Sequence, residues 1–186
     1  MAKIFLNPGH CPGIDSGAVN SVNGVTEAEI CRSIADKVAY RVEEYLKNVD
    51  CTITILQSNN LCGEYPAHPN IVATANELNA DIFISLHCNA FNQQAKGTEC
   101  LIFAKGSYAE DLADAIQRQI VNALDTVDRG VKERPDLAVL KHTAMPAVLV
   151  EMAFIDNEED CEKLIHQQDE FAAAIARGVT DYLTQY

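Results

Sequence analysis

No run of apolar residues in this chain approaches the roughly 20 needed to cross a bilayer, so no membrane insertion is expected. Basic stretches are missing too. Lysine and arginine number 14 against 27 aspartates and glutamates, a formal net charge of -13. A chain of that sign has no face with which to neutralise phosphates. This argues against a nucleic-acid partner and against charge-driven adhesion to anionic membranes or polymers. The seven cysteines form no CxxC pair and keep no regular spacing. Neither a disulfide framework nor a thiolate metal cage is indicated, and reduced core thiols are the expectation. The opening Met1-Ala2-Lys3-Ile4-Phe5-Leu6 runs straight into a strand-like segment, without the hydrophobic region and cleavage site of a secretory signal. Internal repeats, low-complexity tracts and linkers are also lacking. What is present is a 186-residue chain, 48% hydrophobic and 22% charged, the balance of one globular domain with a sizeable core. A single domain over residues 1–186 is expected, working as a monomer.

Strands and helices alternate along the chain. Lys3 to Asn7 reads as a buried strand, followed by the turn-rich loop Pro8-Gly9-His10-Cys11-Pro12-Gly13. Thr26 to about Lys47 reads as a helix, opened by a Thr26–Glu29 capping box and carrying Ile30, Cys31, Ile34, Ala35, Val38 and Val42 at core spacing. Cys51 to Gln57 is a second strand and Ser58 to His68 a polar loop. Pro69 suits the first turn of a helix reaching about Asn79. Ile82 to Leu86 and Gly97 to Ala104 are further strands. Ser107 and Glu110 suggest a capping box for a helix to about Asp125. Arg129 to Thr143 reads as irregular or weakly extended, with a short strand at Leu137 to Leu140. Ala147 to Glu151 is a strand ending in a carboxylate. Asn157 with Asp160 caps a short helix, and a last helix begins near Asp169, interrupted at modest cost by Gly178. The pattern predicts one α/β domain: a mostly parallel sheet flanked by helices in three layers.

The stretch Asp81-Ile82-Phe83-Ile84-Ser85-Leu86-His87-Cys88-Asn89-Ala90 stands out. A strand buried on both faces accommodates a histidine only where something holds it, which makes His87 a candidate metal ligand. His10 follows the first strand and Glu151 ends a later one. In open parallel sheets, ligands gather at the carboxyl ends of strands. Glu27 lies three, four, seven and eleven residues before Ile30, Cys31, Ile34 and Val38, so it points along the buried face of its helix. A first-turn glutamate favoured by the helix dipole is the plainer account of Glu27, as a strand-end residue with a surface partner is of Glu151. Two imidazoles and a carboxylate suit a catalytic zinc with its fourth position open to water. Zinc brings water's pKa to about 7, and a separate carboxylate would then shuttle the proton during amide hydrolysis. Glu151 fits that task.

Asn7-Pro8-Gly9-His10, Glu27, Ala75-Asn76, the stretch from Ala80 to Ala90, Gly97-Thr98-Glu99 and Pro146-Ala147-Val148-Leu149-Val150-Glu151-Met152-Ala153-Phe154-Ile155-Asp156-Asn157 resemble, in order and over nearly the whole chain, the zinc-dependent N-acetylmuramoyl-L-alanine amidases of the type-3 amidase family. The resemblance implies an α/β domain with a six-stranded mixed sheet. It implies one Zn2+ on His10, Glu27 and His87, with Glu151 as the catalytic glutamate. The implied reaction cleaves the amide between the lactyl group of N-acetylmuramic acid and L-alanine of the stem peptide, so the partner is peptidoglycan. The implied place of action is the cell wall, outside the cytoplasm, reached by phage-type release or as a piece of a longer secreted protein. Two departures concern the loops that grip substrate. Cys11-Pro12 stands where the family often has glycine, and Pro69-Asn70-Ile71-Val72 occupies a stretch where many members carry arginine.

Two other readings compete. Cys11 and Cys88 flank the proposed histidine ligands, so a cysteine nucleophile is conceivable. Strand alternation, however, turns Cys88 away from whatever His87 faces. The second is a catalytically silent peptidoglycan-binding or regulatory module of the same fold. Of the remaining histidines, His68 and His166 read as surface residues, whereas His142 could line the cleft.

Overall fold

The computed structural model describes residues 2–47, 51–55 (backbone only) and 70–185. Six strands and six helices alternate: β1 (Ala2–Pro8), α1 (Glu27–Tyr45), β2 (Cys51–Ile55), α2 (Ile71–Glu77), β3 (Ile82–Asn89), β4 (Thr98–Ile102), α3 (Tyr108–Leu124), β5 (Asp128–Glu133), α4 (Ala138–Lys141), β6 (Ala147–Phe154), α5 (Glu158–His166) and α6 (Gln168–Leu183). The sheet order is β2-β1-β3-β6-β4-β5. All neighbours are parallel except β4 and β6, which run antiparallel. The sheet is thus mixed, and the α/β three-layer expectation holds.

Period-two alternation splits each strand between two cores. Ile4, Leu6, Ile82, Ile84, Leu86, Val148, Val150 and Met152 face one side, where they pack with α1, α3, α5 and α6. Phe5, Phe83, Leu101, Ala147 and Leu149 face the other, where, among the described residues, α2 and the short α4 lie over them. Among the described residues this second layer is thin, and no helix covers the carboxyl end of that sheet face. His87 and Glu151, odd-numbered like Phe83 and Leu149, fall on this face.

Local signals place most elements. Thr26 Oγ1 accepts from Glu29 N and caps α1, and its hydroxyl donates to Glu29 Oε2, a variant of the expected capping box. Asn157 Oδ1 accepts from Asp160 N and caps α5. At α3 the box is broken: Ser107 Oγ donates to the Ala104 carbonyl, and Glu110 reaches back to Gly106 N instead. Residues 128–133, read as irregular, form the edge strand β5 beside β4. Leu137 to Leu140, read as a strand, is the start of α4, with Lys141 N and His142 N bonded to the Leu137 and Ala138 carbonyls. Adjacent Val139 and Leu140 are both buried, which one helical turn permits and a strand over one core does not. β6 continues to Phe154, so Glu151 sits within the strand and not at its end. The expected strand at Cys51 to Gln57 is seen over Cys51–Ile55. The expected loop at Ser58 to His68 and Pro69 lie outside the described residues. Gly178 is no mere interruption. A Cβ there would stand 2.6 Å from Ile116 Cα, so its bareness lets α6 press onto α3.

Candidate metal centre

The geometry starts with the loop after β1. Gly9 N donates to the Leu86 carbonyl, prolonging the β1–β3 pairing and laying Gly9 against the His87 ring. A Cβ on Gly9 would fall 2.5–2.7 Å from that ring. His10 then adopts φ +62°, a left-handed conformation uncommon for residues other than glycine. Tight bonds between Cys11 and Asp15 close the loop, and Asp15 Oδ2 comes 2.8 Å from His10 Nδ1. That contact holds the Nδ1–H tautomer and leaves Nε2 free to face inward. Gly17, at φ +62°, completes the cradle; a Cβ there would meet His10 at 2.5 Å and Glu27 Oε2 at 2.6 Å.

Glu27 opens α1 pointing inward, 4% exposed. Its Oε2 accepts from Ala18 N at 2.9 Å and lies 3.1 Å from His10 Nε2. Its Oε1 accepts from Cys88 N at 3.0 Å and lies 2.8 Å from His87 Nδ1. The two imidazole rings meet edge to face at 5.1 Å. Ligand atoms of His10, Glu27 and His87 all lie within 4.8 Å of one another. His87 Nε2 is buried and, among the described residues, has no hydrogen-bond partner. Buried polar atoms rarely go unpaired. The orphaned nitrogen, the glycine cradle and the N,N,O donor set together fit a divalent zinc-like ion.

The electrostatics agree with that fit. Hydrogen bonding to Glu27, with Asp15 assisting, raises the His10 pKa to about 9. Glu27 is held far below the ordinary carboxylate range by its two imidazole partners, against the opposing effect of burial. A proton on His10 thus takes the place a cation would fill, and an incoming ion must displace it.

Glu151 pairs in register with His87 on one side and Glu99 on the other. Its Oε2 is buried and unpartnered among the described residues. Burial, with the negative charges of Glu27 and Glu99, raises its pKa to about 7, although the two histidines pull the other way. A carboxyl near neutrality both takes and gives protons. A dication in the tripod draws that value back down.

The sequence profile of the N-acetylmuramoyl-L-alanine amidases matches residues 4–181. The chain belongs to this family. Among curated family relatives, the uncharacterized protein YqiI of Bacillus subtilis (strain 168) is 34% identical over 98% of this chain and 85% of its own length. The N-acetylmuramoyl-L-alanine amidase CwlM of Bacillus licheniformis is also 34% identical, over 96% of this chain and 66% of its own length. The chain spans only 35% of the amidase LytC of Bacillus subtilis (strain 168), at 35% identity. Among solved family structures, the N-acetylmuramoyl-L-alanine amidase of Clostridium difficile 630 superposes with a TM-score of 0.87 at 29% identity, covering 98% of this chain and 97% of that one.

Within the family frame, several residues escaped sequence reasoning. Asp15 is one; its signal was an acidic residue in a glycine-rich loop five positions after a candidate ligand. Asn89 is another: its Nδ2 donates to Glu99 Oε1 and its carbonyl accepts from Ile155 N. The expectation of reduced thiols throughout is corrected, because Cys11 is disulfide-bonded. Spacing gave no sign of it, since loop packing and not sequence separation brings such sulfurs together. Cys88 Sγ lies 3.9 Å from Cys31 Sγ inside the larger core, and burial pushes its pKa well up. Neither cysteine is a thiolate poised for attack. His142 is remote from the centre, its carbonyl accepting from Asn76 Nδ2 near the loops that feed the amino ends of β3 and β6. His166 is exposed beside Glu162. His68 lies outside the described residues.

Proposed function

We propose that this chain hydrolyses the amide between the lactyl group of N-acetylmuramic acid and L-alanine in peptidoglycan, as a zinc-dependent amidase acting at the cell wall. The observation that carries this reading is the convergence of His10, Glu27 and His87 on one point, with Glu151 facing the same side from the adjoining strand. His10 and His87 offer nitrogen ligands and Glu27 an oxygen. Zinc held there supplies Lewis acidity, which brings the ionisation of water to near neutral pH and polarises a carbonyl. Asp15 keeps the His10 tautomer correct, and the backbone amides of Ala18 and Cys88 hold Glu27 in place. Glu151 takes the proton from the attacking water and passes it to the departing nitrogen of L-alanine. Its place in β6, in register with His87, aims the carboxyl at the side of the tripod where such a shuttle is needed.

The test pairs metal analysis with release of new L-alanine amino termini from purified cell walls. Zinc at one equivalent and amine release that is abolished by chelation and restored by zinc are expected. Glu151→Gln should retain the metal and lose about 10^2–10^4-fold in turnover. His87→Ala should lose the metal. A zinc-loaded chain that frees no amine from any peptidoglycan type would favour a binding module of the same fold. Near-wild-type turnover by Glu151→Gln would overturn the role given to that residue.

A further inference from the structure

We propose that Arg129 and Lys132 form a carboxylate-binding subsite beside the candidate metal centre, which selects stem peptides carrying a free α-carboxylate on their second residue. The proposal rests on the amidase reading above and adds to it a determinant of substrate choice.

Three observations carry it. The first is alignment. His87, Glu151 and Glu99 are successive cross-strand partners on β3, β6 and β4, and β5 lies next in the sheet. At about 4.8 Å per strand, Glu99 stands about 10 Å from His87 along a row that crosses the face left uncovered by α2 and α4. A peptide leaving the scissile carbonyl advances about 3.3–3.6 Å per residue. Two residues cover about 7 Å, and the carboxylate's own reach takes it to the Glu99 position.

The second observation is charge. Arg129 Nε and Lys132 Nζ both donate to the same oxygen, Glu99 Oε2, at 2.6 and 2.5 Å. The other oxygen of Glu99 is taken by Asn89 Nδ2. Two cations therefore share one carboxylate, on a chain whose formal net charge is -13. Glu99 is almost buried, whereas the Arg129 and Lys132 side chains are 31% and 43% exposed. The anion sits beneath and the cations are partly open to solvent.

The third observation is preorganisation. The guanidinium of Arg129 lies over the Phe154 ring, 4.9 Å from its centroid. Stacking below and the Nε bond at one side fix its plane. Among the described residues its two terminal nitrogens make no hydrogen bond, which leaves the edge of the fork that carboxylates prefer. An incoming carboxylate would also meet the negative field of Glu151 and Glu27, so it needs a cationic partner at close range, which a neutral carboxamide does not. If the pair served only to stitch β4 to β5, none of this orientation toward solvent would be required.

The experiment compares kcat/KM of the zinc-loaded protein on two soluble substrates, N-acetylmuramoyl-L-alanyl-D-isoglutamate with its γ-carboxyl capped as the methylamide, and the α-carboxamide counterpart with the same cap. A preference of about tenfold for the free acid is expected, the scale of one charge-assisted hydrogen bond. Arg129→Gln and Lys132→Gln should each bring the ratio of the two substrates toward one, and Arg129→Lys should keep part of it. Equal rates on the two substrates by the wild-type protein would overturn the subsite alone. So would variants that slow both substrates alike and preserve the ratio. Cleavage of neither substrate would overturn the subsite together with the amidase reading. The wild-type comparison decides the matter even where a variant fails to fold.

Discussion

At the scale of single residues, the centre depends as much on its supports as on its ligands. Asp15 is half-exposed, yet it fixes which nitrogen of His10 faces the tripod. Loss of such an outer partner commonly weakens metal affinity 10–100-fold. Asp15→Ala should therefore raise the zinc dissociation constant by about that factor, measured by competition with a chromophoric chelator, while leaving the fold intact by circular dichroism. Glu99 makes the second case. Lys132 and Arg129 hold its pKa below 4.5, against burial. A carboxylate whose folded pKa is depressed contributes stability above its unfolded value, and loses that contribution as pH falls through the folded value. The groups facing it are Arg129, Lys132, Asn89 and, across the strand pair, Glu151. Glu99→Gln should destabilise the metal-free protein by about 1.5–3 kcal/mol near pH 5.5. The gap from wild type should narrow steadily toward pH 3 in urea titrations. A gap that widened on acidification would contradict the assigned sign.

At the scale of elements, the α3–α6 contact shows how a single absent methyl positions a layer. Gly178 meets the backbone of Ile116 and Ala115, and a Cβ there would lie 2.6–3.0 Å from main-chain atoms that cannot rotate aside. Helix propensity alone favours alanine by about 1 kcal/mol. Overpacking costs about 1–3 kcal/mol, occasionally more, so the steric effect should win. Gly178→Ala is expected to lower the melting temperature by several degrees, at about 2–4 °C per kcal/mol for a chain of this size. An unchanged or higher melting temperature would mean that the two helices separate at little cost. The same scale explains the thin layer on the opposite face. The short α2 and α4 roof the Phe83, Leu101 and Leu149 end of the sheet, and among the described residues no helix lies over the His87, Glu151 and Glu99 row.

At the scale of the whole molecule, the centre ties together the β1 loop, the start of α1 and the end of β3. These segments carry residues 10, 27 and 87, far apart in the chain. A ligand that binds only the folded state stabilises it by RT ln(1 + [L]/Kd), about 4 kcal/mol at a thousandfold excess over Kd. Removing the metal should therefore lower the melting temperature by about 8–16 °C. Glu151→Gln, which spares the tripod, should show the same shift by differential scanning fluorimetry. A melting temperature indifferent to chelation would show that the tripod closes equally well on protons alone.

How much of this was legible along the chain follows from the range of the interactions involved. Apolar periodicity acts within one helix or strand, so it marked α1, β3 and β6, and it turned Glu27 inward before any fold was considered. Residue chemistry marked His10, His87 and Glu151 as a possible centre. The short-range signal misled where it was ambiguous: Leu137 to Leu140 is a short apolar run that suits a strand as well as the helical turn it closes, and β5 is too polar at an edge to reveal itself. Long-range pairing has no local trace. The reversal of β4 against β6, which sets Glu99 beside Glu151, is decided by how the strands share a sheet. So are the approach of Asp15 to His10, the grip of Asn89 on Glu99 and the disulfide at Cys11. The sequence by itself determined which side chains were available and which face of each element they occupied. Tertiary structure decided their order across the sheet, because only packing of distant segments closes the loops and strand pairs that bring them together.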